Sequence, residues 1–82
     1  MGRPALTERD VKTNKAFGMR LNTLLAENDM KQMELADRIG VTDKTVSVWC
    51  AGKLTISIFR LLDISEVFGV STDWLLKGGR RE

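Results

Sequence analysis

The stretch QMELADRIGVTDKTVSVW, residues 32–49, is where the fold is decided. Leu35, Ala36 and Ile39 share one face of a helix spanning Gln32 to Ile39. Gly40 ends that helix, because glycine takes the left-handed cap conformation at little cost. Val41 follows, and Thr42 is a good N-cap for a second helix from Asp43 to about Cys50, with Val46 and Trp49 turned inward. Two short helices crossing steeply bring their backbones close, which calls for a small side chain, and Ala36 supplies it. Leu35, Ile39, Val41, Val46 and Trp49 anchor the pair to a core, so the outward face of the second helix is free to enter a groove.

Working outward, a helix is expected from about Asn14, with Phe17, Leu21, Leu24, Leu25 and Asn28 in one stripe and Asn28-Asp29 as its exit turn. Before it, Met1 to Pro4 reads as loose, and Ala5 to Lys12 as a helical turn capped by Thr7. Beyond the central pair, Ala51-Gly52-Lys53 breaks the chain. Ser57 caps a fourth helix, Ile58 to Phe68, whose inner face is expected to hold Ile58, Leu61, Leu62, Ser65 and Phe68. Gly69 closes it, and Ser71 caps a short last helix around Asp73 to Leu76. Five helices with short connections and no strand pattern predict an all-α bundle. The expected division is an N-terminal arm at 1–14, a domain at 15–78 and a tail at 79–82.

Eighty-two residues, 43% hydrophobic and 29% charged, suit one globular domain. One cysteine and no histidine exclude a zinc finger, a disulfide framework and the histidine-assisted nucleophiles. No phosphate-cradling glycine loop is present. The expectation is therefore a non-enzyme with no cofactor, no metal and no small-molecule effector site. No apolar run approaches the roughly 20 residues of a membrane span, and no secretory h-region follows the start, so a cytoplasmic protein is expected. The formal charge of +2 is unevenly spread. Arg3, Arg9, Lys12, Lys15 and Arg20 outweigh Glu8 and Asp10 at the front, Lys77, Arg80 and Arg81 outweigh Glu82 at the end, and the body between is mildly acidic.

The spacing of the central pair, together with FGMRL at 17–21, the Trp49-x-x-Gly52-Lys53 break and FGVSTDWLLKG at 68–78, resembles the Cro/phage-repressor (XRE-like) helix-turn-helix family over residues 15–78. The resemblance implies a lambda-repressor-like five-helix bundle. It also implies a sequence-specific double-stranded DNA-binding regulator, a small phage- or prophage-type repressor acting as a dimer on a palindromic operator, with the second helix of the motif in the major groove. The positions matching the family's base readers are Thr42, Asp43, Lys44, Ser47 and Val48. Lys44 can donate to guanine O6 and N7, and Val48 can meet a thymine methyl. Asp43 can accept from cytosine N4 or simply stabilise the first helical turn, two roles of equal weight. Phosphate contacts fall to Gln32, at the start of the first helix of the motif, to Lys31 before it, to Thr45, and to Lys53 with the backbone after Gly52. Lys31 stands where the family usually has Ser or Thr, which forgoes about 1 kcal/mol of capping and makes sense beside a phosphate. Arg38 reads as a solvated charge.

Three departures from the family pattern carry information. Many members have an Arg late in the first helix that pairs with a Glu after the third; here Leu25 and Cys50 take those places, an apolar exchange of both partners. The two are expected to approach each other, which makes Cys50 a packing residue. The proline usual after the Gly-Lys break is replaced by Ile56. Finally, Phe59 and Val67 fall on the otherwise polar side of the fourth helix, so Ile56, Phe59 and Thr72 are the candidate homodimer contacts, unless the N-terminal extension covers Phe59. The alternative function is an antitoxin or antirepressor-like protein working through protein contacts, which the acidic body and weakly basic recognition helix favour.

Overall fold

The computed structural model describes residues 6–81, so the loose start expected at Met1 to Pro4 and the final residue of the tail lie outside it. Among the described residues five helices follow one another: α1 Glu8–Glu27, α2 Gln32–Ile39, α3 Asp43–Cys50, α4 Ile58–Phe68 and α5 Thr72–Lys77. Each of the last two begins at the serine expected to cap it: Ser57 accepts from the Arg60 amide and Ser71 from the Trp74 amide.

The first helix starts earlier than periodicity alone suggests, and it absorbs the second half of the segment read as an arm. Thr7 and Asp10 form a capping box: the Asp10 amide donates to Thr7 Oγ1 at 3.1 Å, and the Thr7 amide donates to the Asp10 carboxylate at 3.3 Å. With the start so satisfied, nothing between Lys12 and Asn14 interrupts the helix. Asn14, a residue that could have capped a new helix, spends its side chain elsewhere, donating to Thr55 Oγ1 at 3.0 Å. At the far end the Asn28 amide group closes on the Leu24 carbonyl, and Asp29 turns the chain with φ +51°.

Phe17, Leu21, Leu24 and Leu25 of α1 meet Leu35, Ala36 and Ile39 of α2, Val46 and Trp49 of α3, Leu61 and Ile64 of α4, and Val70, Trp74 and Leu75 in one buried cluster. Cys50 packs against the same cluster as Leu25, half-buried rather than exposed. Burial pushes its thiol up from its ordinary pKa, against a weaker opposite pull from the Gln32 side chain. A protonated, half-buried thiol suits packing rather than nucleophilic chemistry.

The fourth helix is rotated from the expected phase. Ile58 and Leu62, read as inward, are 67% and 47% exposed, while Ile64 is fully buried and Val67, read as outward, is half-buried against the core. Leu61 and Phe68 do face in. The cause is that apolar residues surround this helix, so periodicity admits two rotations. Contacts with α2 select one: Arg60 reaches across and donates to the Ile39 carbonyl at 2.8 Å, satisfying a C-terminal group of α2.

A close backbone contact joins α1 to the end of α3. A Cβ on Gly18 would stand 2.6 Å from the carbonyl oxygens of both Trp49 and Cys50. In an ordinary helix interior Gly→Ala stabilises by about 1 kcal/mol. Here the obstacle is backbone that cannot swing away, and overpacking costs typically 1–3 kcal/mol. Gly18→Ala should therefore destabilise the domain by about 2 kcal/mol in urea unfolding; a stabilised variant would show that α1 and α3 are not in backbone contact.

Candidate nucleic-acid interface

The α2–α3 turn has the chemistry its sequence demands. Gly40 sits at φ +74°, and a side chain there would meet nothing within 4 Å, so the constraint is backbone conformation and not space. The Val41 amide donates to the Ala36 carbonyl at 3.0 Å, and Ala36 is buried where the two helices cross. Thr42 caps α3, accepting from the Thr45 amide at 3.1 Å, and the two threonine hydroxyls lie 2.9 Å apart. Val46 and Trp49 are buried, which fixes the rotation of α3 and turns its other side to solvent.

That other side presents Asp43, Lys44 and Ser47, all exposed. Among the described residues Lys44 makes no ion pair. The Asp43 carboxylate accepts from the Lys44 amide at 2.9 Å, an interaction with the first turn of its own helix. The other positions matched to base readers are more committed. Thr42 serves the cap, and Val48 is half-buried against the core, so it can present only part of its side chain. Thr45 is half-buried beside Thr42.

Flanking α3 are the groups assigned to phosphate. Lys31 is the N-cap of α2 and makes no capping hydrogen bond with its side chain. Glu34 gives partial compensation, its carboxylate accepting from the Lys31 amide at 3.4 Å. Among the described residues no protein acceptor meets the amides of Gln32 and Met33, so these N–H groups are open at the positive end of α2. Lys53, at the other flank, is exposed. Its amide donates to the Val48 carbonyl at 3.1 Å, and the Gly52 before it takes φ +70°.

Away from this face, Phe59 is 68% exposed, and it does not stand alone: Leu54, Ile58 and Leu62 are exposed with it. Ile58 and Leu62 were missed as surface residues; only the rotation of α4 reveals them. Ile56 is half-buried against the protein's own core, and Thr72 is half-buried at the start of α5. The N-terminal part of α1 runs beside Thr55 and leaves Phe59 uncovered by any described residue.

Residues 21–75 match the model of the family described as Helix-turn-helix. The chain belongs to the Cro/phage-repressor type of that family. It is 36% identical over 62 residues to an SPbeta prophage-derived uncharacterized HTH-type transcriptional regulator, YonR, of Bacillus subtilis (strain 168), covering 76% of this chain and 57% of that protein. It is 39% identical over 59 residues to the repressor protein CI of Enterobacteria phage phi80, covering 72% of this chain and 25% of that one. The chain thus spans about half of the first relative and a quarter of the second. Among solved structures, the P22 c2 repressor protein in complex with synthetic operator 9T is similar, with a TM-score of 0.74 and 27% identity over 77% of this chain and 96% of that one. The fold is therefore that of the lambda-repressor-like helix-turn-helix domains. No helix among the described residues is long and apolar enough to cross a membrane.

The missing cap at Lys31 makes a testable conflict between stability and binding. Lys31→Ser supplies a hydroxyl acceptor to the first turn of α2 and should raise stability by about 1 kcal/mol. It also removes a cation beside two open amides, so affinity for DNA should fall. A chemical-denaturation series and a DNA titration on the same preparation check both; a stabilised variant with undiminished affinity would free Lys31 of any phosphate role.

Proposed function

We propose that this chain is a sequence-specific double-stranded DNA-binding transcriptional regulator, a repressor of phage or prophage type working in the cytoplasm. One observation carries the reading: α3 is clamped from inside by Val46 and Trp49 and offers solvent an unpaired lysine, a serine and a carboxylate. A rigid helix with a polar face that the core does not use is what base reading in a major groove requires. The flanking groups suit the backbone on either side, with the open amides of Gln32 and Met33 and Lys31 at one flank and Lys53 at the other. The similarity to a repressor solved with its synthetic operator supports the same orientation.

In this arrangement Lys44 donates to guanine, and Ser47 meets either base type. Asp43 accepts from cytosine N4 while its second oxygen stays with the helix start. Thr42 and Thr45 present their hydroxyls at the N-terminal edge of α3, with Thr45 facing the phosphates, and Val48 contributes apolar contact at the rim of the groove. Half a site offers few base contacts, so two copies acting on a palindrome, with recognition helices about 34 Å apart, would supply the specificity. The apolar patch Leu54, Ile58, Phe59 and Leu62 is the surface for that pairing, with Ile56 and Thr72 at its margin. An interface this small pairs weakly, which favours assembly on DNA over a stable free dimer.

Duplexes selected from a random pool provide the operator. On the selected site Lys44→Ala should lose about 1–3 kcal/mol and relax preference at one base pair. Lys53→Ala should weaken the selected site and unselected duplexes alike. An unaltered preference in Lys44→Ala would remove α3 from the groove.

Phe59→Lys should leave the thermal midpoint nearly unchanged, because the side chain lies outside the core. It should abolish cooperative occupation of paired half-sites while sparing a single half-site. Retained cooperativity would move the pairing surface elsewhere.

A further inference from the structure

The early start of α1 places two lysines where the sequence showed only a basic stretch. A Cβ on Gly52 would stand 2.8 Å from Lys15 Cα and 3.0 Å from Lys15 Cγ. Lys15 is therefore packed on the residue immediately before Lys53. Asn14, buried to 9% exposure, fixes this contact through its 3.0 Å bond to Thr55. Lys12 lies one helical turn further out on the same side of α1 as Lys15. Lys12, Lys15 and Lys53 are exposed, and among the described residues none of them forms an ion pair. Arg9, by contrast, is taken by Asp10 at 3.0 Å. Glu8, four residues before Lys12, is the acid best placed to neutralise it, and it makes no ion pair either.

We propose that Lys12 and Lys15 extend the phosphate-binding edge begun by Lys53, gripping the DNA backbone beside the site that α3 reads. The proposal rests on the DNA-binding reading above. Like charges placed side by side repel, and a helix that collects them without pairing them to acids gains nothing in stability from the arrangement. They are matched instead by a polyanion, whose condensed counterions are released when lysines replace them. DNA is the polyanion favoured because the strip is continuous with Lys53. Lys12 and Lys15 lie ahead of residues 21–75, the segment matched by the family.

The test is a salt titration of the full chain on a duplex of about 20 base pairs of arbitrary sequence, followed by fluorescence anisotropy. Removing two phosphate contacts should lower the slope of log K against log salt by about 1.8. Lys12→Gln with Lys15→Gln should show that change, with affinity reduced about ten- to a hundredfold near 0.1 M salt. The pair Lys12→Arg with Lys15→Arg should keep the wild-type slope. Thermal midpoints of both variants should match wild type, since neither side chain is buried. An unchanged slope in the glutamine variant overturns the proposal. A wild-type protein that binds all sequences equally would instead overturn the base-reading function, and the slope comparison would still decide the strip.

Discussion

The backbone contact between Gly18 and the last turn of α3 is the constraint on which the rest of the molecule depends. With no side chain at Gly18, α1 lies directly on the carbonyls of Trp49 and Cys50, and Asn22 donates to the Cys50 carbonyl at 3.3 Å. That seats the Trp49 side chain in the core and sets the rotation of α3 about its axis. An eight-residue helix has little intrinsic stability in water, so its orientation comes from what it packs against. Were α1 held off by one methyl group, the polar side of α3 would lose its fixed direction, and a recognition surface needs that rigidity.

The end of α3 also carries a departure from the family pattern. Where many relatives have an ion pair between the end of α1 and the residue after the α3 anchor, this chain has Leu25, which is buried, and the half-buried Cys50. Exchanging both members of a buried ion pair for packed apolar groups avoids the desolvation of two charges and is often neutral or stabilising. Stability recovered there is compatible with sacrifices elsewhere. Lys31 forgoes a cap on α2, and the Gln32 and Met33 amides stay open. Arg60 and Arg20 are used on carbonyls at helix ends, Arg60 on Ile39 and Arg20 on Leu75 at 3.2 Å. Arg81 similarly lies over the Trp74 ring, 4.6 Å from its centre, and pairs with Glu27, whose carboxyl it holds below the usual range.

An apolar excess on α4 separates the needs of one copy from those of an assembly. Leu61 and Ile64 satisfy the core, and Ile58, Phe59 and Leu62 are left over. Side chains of this size gain by leaving water, and a contiguous group of them on a small domain marks a contact surface more often than an accident of composition. The patch is on α4 and the loop before it, while the polar face is on α3 with Lys53 beyond it, so the pairing and the DNA contact proposed above would use different surfaces.

The sequence by itself determined the features governed by interactions within three or four residues. Gly40 had to end α2 because of its backbone angle, Thr42, Ser57 and Ser71 had to start helices because their hydroxyls reach the third amide onward, and the α1 stripe had to be buried because its apolar residues recur at helical spacing. The core of the recognition motif, Leu35, Ala36, Ile39, Val46 and Trp49, was legible for the same reason, and so was the exposure of Lys44 and Ser47. Tertiary structure alone decided the rotation of α4, where leucines, isoleucines and phenylalanines on nearly every side leave periodicity degenerate and the bond from Arg60 to α2 breaks the tie. It also decided the partner of Asn14, which is Thr55, forty-one residues away, whereas the early start of α1 follows from its local capping box. Tertiary structure brought Lys15 and Gly52 together too, since a contact between distant segments depends on how helices cross, and no local pattern encodes the crossing.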